Sequence, residues 1–451
     1  MDGPIISQDA MLILTTVLRI GLRNSHLVLS MDLREVCKAF NKLICEFPPE
    51  LIIDLSTNLD LNKEDLFTLL SKVKIINLNL NLSIKSLLPN DRYVNKRLLP
   101  TREIAFFEIP ETVQILSIDT DGNSLWDILD PNTCFPPNLK RLTLCGSFNQ
   151  SFDLALNHYN GYVSILPIGL SYLRLGFRFN QSIDTLPPGL TDLILGRSFN
   201  QSLDNLPSSL LNLRIPISDV FNRRIDKLPR SLVRLELPQS FNKNIDSLIN
   251  LTSLTVLIFN MVLNSLFNKP VDFLPPNLFK LSLGENFNQL IDHLPKSIQI
   301  LRLGDRFNQP IDNLPPNLKK FTIRNKLFTY GDFNKTVNLL PSGLTVLKLG
   351  AKFVQEIDCL PEGIAVLKLG VQFNNKIDFL PKSLKILSLG FYFNQRINHL
   401  PPNLTHLKIG NFFNQPIDAL PKSLISLKIR GVFNHAVDNL PGNLRILCIL
   451  Y

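Results

Sequence analysis

Cysteine pairs at metal-binding spacing are missing from this chain. Its six cysteines (Cys37, Cys45, Cys134, Cys145, Cys359 and Cys448) are scattered, with no C-x-x-C and no histidine at ligand distance, so they read as buried thiols of a reducing compartment. The six histidines (His26, His158, His293, His399, His406 and His435) occur singly, which argues against a paired acid–base site. Glycine-rich phosphate loops are lacking as well, because the glycines of "LGDRFN" and "LGAKF" stand alone. No cofactor site, no metal site and no enzyme activity is expected. Long apolar runs are also absent: no stretch reaches the roughly 18 to 20 residues of a membrane span. The short apolar run from Met11 to Leu18 follows Asp2 and Asp9 and no Lys or Arg, the reverse of a secretory leader. The expectation is a cytoplasmic protein with no membrane partner.

What is present bounds the rest. At 451 residues the chain exceeds one ordinary core, so it forms several domains or one elongated array. A hydrophobic content of 45% is ample for burial and argues against disorder. With 47 Lys plus Arg against 38 Asp plus Glu, the net charge of +9 favours acidic partners, yet it is too dilute to point to nucleic acid.

One sentence is written again and again. In "LGDRFNQPIDNLPPNLKKF", residues 303–321, a Phe-Asn, an Ile-Asp and a Leu-Pro pair follow one another, and near copies recur. Phe179, Phe199, Phe221, Phe241, Phe267, Phe287, Phe307, Phe333, Phe353, Phe373, Phe393, Phe413 and Phe433 succeed each other at 20, 22 or 26 residues, with Phe148 one long insertion earlier. Asn follows each of them except Phe353, where Val354 stands. So short a fixed period identifies a solenoid, whose units are too small to bury their own apolar faces and must stack.

The consensus L-P-x-x-L-x-x-L-x-L-G-x-x-F-N-x-x-I-D-x assigns each position a task. In "GLTDLILG", Leu193 and Leu195 alternate with Asp192 and Ile194, which predicts a strand with one face inward. Gly196 is expected to permit a sharp turn. Phe199 should be a buried plug in a spine of its equivalents, and Asn200 a rung in a ladder of amide hydrogen bonds. Pro207 stiffens the return. The Asp of each turn, as Asp184 or Asp204, would repel its neighbours at about 4.8 Å unless it accepts hydrogen bonds from its own turn. A calcium row is the competing reading, but one Asp per turn supplies too few oxygens.

Residues 46–134 are less regular. "PPELIIDL", "KVKIINLNLNLSI" and "ETVQILSID" read as strands of atypical capping repeats, and "NKEDLFTLLSK" as a short helix. Residues 1–45 differ again. Met11, Leu14, Leu18 and Leu22 fall at helical spacing, and "SMDLREVCKAFNKLI" puts Leu33, Val36, Cys37, Phe40 and Leu43 on one helical face. The divisions expected are therefore a helical module over 1–45, capping repeats over 46–134 and a regular solenoid over 135–451.

The repeat unit resembles the FNIP repeat, a leucine-rich-repeat relative found in social amoebae and giant viruses, over roughly residues 135–451. The resemblance rests on F-N-x-x-I-D-x-L-P and implies a leucine-rich-repeat-like parallel β-solenoid, mostly β with few short helices, preceded by a small α-helical N-terminal module. "LREVCKAFNKLI" resembles the last helix of an F-box, with "ISQDAM" where the usual Leu-Pro would be. That resemblance implies that Leu14, Leu18, Leu33, Val36, Cys37, Phe40 and Leu43 dock a Skp-type adaptor and its cullin complex, in the host cytoplasm if the protein is viral. The bottom-up alternative is a plain N-terminal cap.

The strand face carries the other candidate site. Between the second and third leucines of each strand stand Arg174, Ile194, Arg214, Glu236, Ile258, Ser282, Arg302, Thr322, Lys348, Lys368, Ser388, Lys408 and Lys428, outward by alternation and mostly basic. Two positions earlier come the apolar Ile300, Val346, Val366 and Ile386. A basic column beside an apolar one suits an acidic, partly apolar protein target; equally, outward lysine keeps a sheet soluble and Val or Ile favours strands. Two functions follow: substrate receptor of a cullin-RING ubiquitin ligase, or interaction scaffold with a merely capped end.

Overall fold

Leucines at every second position, with polar or β-branched residues between them, leave the chain one way to bury them: short strands laid side by side. The computed structural model describes residues 52–54, 77–82, 113–120, 135–146, 148–155, 162–261, 265–324 and 331–450. The helices expected within 1–45 and 62–72 lie outside the described residues, as do the adaptor-binding positions. Two units are distinguished, Met1–Ile215 and Pro216–Tyr451.

In the N-terminal unit, β1 (Ile52–Asp54), β2 (Asn77–Leu82), β3 (Ile115–Thr120) and β4 (Arg141–Gly146) pair in parallel, in order. The strands read from "PPELIIDL", "KVKIINLNLNLSI" and "ETVQILSID" thus join the same ladder. After β4, β5 (Asp153–Ala155) and β6 (Tyr162–Ser164), at the two ends of the insertion "DLALNHYNGYVS", pair antiparallel and apart from the main ladder. The ladder then continues from β4 to β7 (Tyr172–Leu175), β8 (Asp192–Ile194) and β9 (Asn212–Arg214).

The C-terminal unit begins with β10 (Arg234–Leu237), a 3-10 turn over Asp246–Asn250 and β11 (Val256–Phe259). Each strand then pairs in parallel with the next: β12 (Lys280–Ser282), β13 (Ile300–Leu303), β14 (Lys320–Ile323), β15 (Val346–Lys348), β16 (Val366–Lys368), β17 (Ile386–Ser388), β18 (His406–Ile409), β19 (Ser426–Arg430) and β20 (Ile446–Leu450). Both units are parallel β-solenoids with almost no helix among the described residues.

The core is a set of columns, each built from one position of the repeat. Leu347, Leu367, Leu387 and Leu407 stand in register on successive strands and are essentially inaccessible to water. Behind them runs the phenylalanine spine. Phe353, Phe373 and Phe393 are fully buried, and their rings stack at 6.1 and 6.3 Å between centroids with interplanar angles of 9° and 3°. The extra residues of the two 26-residue units leave the stack undisturbed: Phe241 and Phe267 are 6.2 Å apart, Phe307 and Phe333 6.1 Å.

At the next corner the amide ladder forms as expected. The Asn200 backbone N–H donates to the Asn180 Oδ1 at 2.8 Å, and the Asn180 N–H donates to the Asn149 Oδ1 at 2.8 Å. Where a Gln follows the Asn it reinforces the rung, as Gln201 Nε2 donates to Asn180 Oδ1 at 3.1 Å and Gln309 Nε2 to Asn288 Oδ1 at 3.1 Å. The Leu-Pro return is a tight turn in which the Leu384 N–H donates to the Pro381 carbonyl at 3.1 Å.

Gly196 works for another reason than the sharp turn expected of it. Positive φ occurs at Gly146, Gly331 and Gly431 among the described glycines, not at Gly196. A Cβ at Gly196 would collide with the carbonyl oxygen of Gly176 one turn earlier, and the same holds for Gly390 against Gly370 and Gly410 against Gly390. Close stacking of successive backbones, rather than local curvature, selects glycine there. The aspartates stand at the surface. Asp184 Oδ2 accepts from the Ser182 hydroxyl at 2.8 Å and Asp246 Oδ2 from Asn244 Nδ2 at 2.9 Å, each within its own turn.

Candidate functional site

Each strand turns one side-chain row away from the core, and parallel pairing aligns these rows into columns. Thr322, Lys348, Lys368, Ser388, Lys408 and Lys428 are consecutive register partners from β14 to β19, with Arg302 on β13 opposite Thr322. Arg302, Lys368, Lys408 and Lys428 are exposed and Lys348 is half-buried. Two residues earlier on the same strands, Ile300, Lys320, Val346, Val366 and Ile386 form the second column. Lys320 interrupts the apolar residues that the sequence placed there, and Lys280 precedes Ile300 in the same column. Both share the first strand position with Ile300, which is the signal that could have found them.

Between these columns lies a trough of about 310 Å³, lined by Ile300, Arg302, Lys320, Thr322, Val346, Lys348, Val366, Lys368 and Ile386. Eight of these residues stand in the columns read from the sequence; Lys320 completes the lining. Arg174, exposed on β7, and Arg214, half-buried on β9, belong to the N-terminal unit and do not line the trough.

Its electrostatics are one-sided. The ion pairs Arg224–Asp226, Arg234–Glu236, Lys352–Asp332 and His399–Asp378 use no trough cation. Glu236, the one acid of the outward column, is held by Arg234 at 3.2 Å. Burial pushes the Lys348 ammonium below the ordinary lysine value, and Lys368, Arg302 and Lys320 push it further the same way. Lys408 is lowered by burial, then by Arg430, Lys368 and Lys428. Lys280 is lowered by burial, Arg302 and Arg234, against an opposing pull from Glu236.

His399 contacts Asp378, His406 the Thr405 hydroxyl and His435 the Asn414 carbonyl, each alone at the surface. Among the described residues no group of three or more His, Cys, Asp or Glu could hold a metal ion. Among the same residues no helix is long and apolar enough to cross a membrane.

Columns of Leu, Phe and Asn repeating turn after turn are the mark of a repeat architecture, and comparison with known proteins identifies several of its units. Residues 179–216, 287–326, 355–392 and 393–431 match the FNIP Repeat. These stretches are FNIP repeats. Among solved structures the chain is similar to CroV588, described as a novel circular LRR protein structure, with 32% identity, a TM-score of 0.55 and coverage of 77% of this chain and 57% of that one. It is also similar to the functional domain of InlJ from Listeria monocytogenes, with 13% identity, a TM-score of 0.48 and coverage of 65% and 64%. YopM from Yersinia enterocolitica WA-314 shows 17% identity and a TM-score of 0.45, with 96% of each chain covered. The chain thus spans less than two thirds of the length of CroV588 and of the InlJ domain. No curated protein sequence matches it.

Proposed function

We propose that the protein is a non-enzymatic, cytoplasmic binding scaffold that holds an acidic protein target on the outward strand face of its C-terminal unit. The observation that carries this reading is the in-register row of Arg302, Lys348, Lys368, Lys408 and Lys428 with no acidic partner among the described residues. Like charges set side by side on a sheet cost stability, so a face that keeps them has a use for the field they create. Likeness to a leucine-rich-repeat protein supports a binding role at the level of fold.

The finer reading is a substrate receptor. The N-terminal segment carrying Leu14, Leu18, Leu33, Val36, Cys37, Phe40 and Leu43 docks a Skp-type adaptor, and the solenoid brings its target to the ligase by proximity, contributing no reacting group. Its support is the F-box-like pattern of "LREVCKAFNKLI". Co-purification of the full chain with an adaptor–cullin complex tests it. Val36→Asp with Phe40→Asp should abolish capture while target binding persists. Adaptor retained by a chain lacking residues 1–45 would sink the receptor reading and leave the scaffold.

A further inference from the structure

The trough lies in the interior of a parallel sheet. β14 is paired with β13 on one side and β15 on the other, and β15 with β14 and β16, so the backbone groups there are already committed to neighbouring strands. An extended segment laid on this face would find no edge to pair with and would leave its own N–H and C=O groups without protein partners. A helix arrives with those groups satisfied internally.

Spacing makes the same choice. The cations recur at strand steps of about 4.8 Å, close to the roughly 5.4 Å rise of one helical turn, whereas same-face residues of an extended chain lie about 6.7 Å apart and fall out of step after one or two strands. From Lys348 the occupied steps are Lys368, Lys408 and Lys428, with the neutral Ser388 between, so a helix offering one acid per turn meets a cation at nearly every turn. The second column stands about 7 Å away along the strands, within the roughly 10–12 Å width of a helix with its side chains, so adjacent stripes of one helix reach both. Val346, Val366 and Ile386 provide aliphatic surface on that side, with Ile386 37% exposed. Nucleic acid suits the trough poorly, because its lining contains no aromatic ring on which a base could stack.

We propose that this face binds an amphipathic α-helix carrying one acidic residue per turn along one stripe and aliphatic residues along the adjacent stripe. The proposal rests on the docking reading above and specifies the partner's form.

The test uses the full chain and labelled peptides of about 18 residues, long enough for roughly 27 Å of helix. One peptide carries Glu and Leu in adjacent helical stripes; a second has two central residues replaced by proline; a single-stranded oligonucleotide is the third probe. The helical peptide should bind about tenfold tighter than its proline version, gain helical circular dichroism on binding, and lose about tenfold in affinity for Lys348→Glu/Lys368→Glu. Equal binding of the two peptides, abolished by the double substitution, would overturn the helix while leaving the docking face. Binding of either peptide unaffected by the double substitution overturns both, as does binding of the oligonucleotide alone or of no probe. Thermal melts of the double variant establish that it is folded.

Discussion

Lys348 and Lys368 face one another across the β15–β16 pairing, one strand apart in register, and no described acid is paired with either. Lys368 is the first of the charged neighbours holding the Lys348 ammonium below its ordinary value, after burial itself. The fold tolerates this repulsion because the strands beneath are secured by Leu347 and Leu367, both fully buried.

The first prediction concerns stability against pH. With the folded value of Lys348 lowered, the unfolded chain binds more protons between that value and the ordinary lysine value, so stability rises with pH across this window. Below it the charged lysine is a standing cost. Lys348→Gln should therefore raise the denaturation midpoint at neutral pH by a small amount, within about 0.5 kcal/mol for a surface change, and the advantage should shrink as pH climbs into the window. A wild type more stable than the variant at neutral pH would refute the account.

Association with an acidic target should depend on salt. Lys368→Glu with Lys408→Glu should slow the on-rate much more than it alters the melting temperature, and the difference should narrow as ionic strength rises. Stopped-flow binding at two salt concentrations is the measurement. Equal on-rates would reduce the column to a solubility device.

The phenylalanine spine should be costly to break. Phe373 stacks on Phe353 and Phe393 and is fully buried, so Phe373→Ala should lose about 3–5 kcal/mol in equilibrium denaturation. An unchanged denaturation curve would contradict the packing.

The amide ladder contains its own control. Val354 donates its N–H to Asn334 Oδ1 at 3.0 Å, but its side chain has no oxygen to offer the turn of Asn374. Val354→Asn should supply the missing rung and stabilise the protein by about 0.5–1.5 kcal/mol, the usual net worth of one hydrogen bond. Loss of stability in that variant would show that the aliphatic side chain matters more there than the rung.

Much of this was readable in advance because a solenoid converts sequence period directly into spatial neighbours. Once the Phe-Asn pairs are aligned, Phe373 must stack on Phe353, and Lys348 must stand beside Lys368. Lys320 was harder to place: it occupies a strand position read as apolar from Ile300, Val346, Val366 and Ile386, and its closeness to Thr322 and Lys348 depends on knowing which residue begins each strand. Gly196 misled for a different reason, since a glycine required by the backbone of the previous turn looks the same in sequence as one required by its own φ. The division at Ile215 and Pro216 has a faint trace, in that Pro216 and Pro238 stand where Gly176 and Gly196 do in earlier turns.

The undisturbed spacing of Phe241 to Phe267 and of Phe307 to Phe333 shows that a turn can lengthen by six residues while its neighbours keep their places. A single residue added within a strand would instead turn its leucines to the solvent. Heredity acting on such a chain is free to copy or delete whole turns and to decorate the corners between strand and phenylalanine. The number of turns and the ornament at their edges can thereby evolve separately, while the pitch between successive turns cannot.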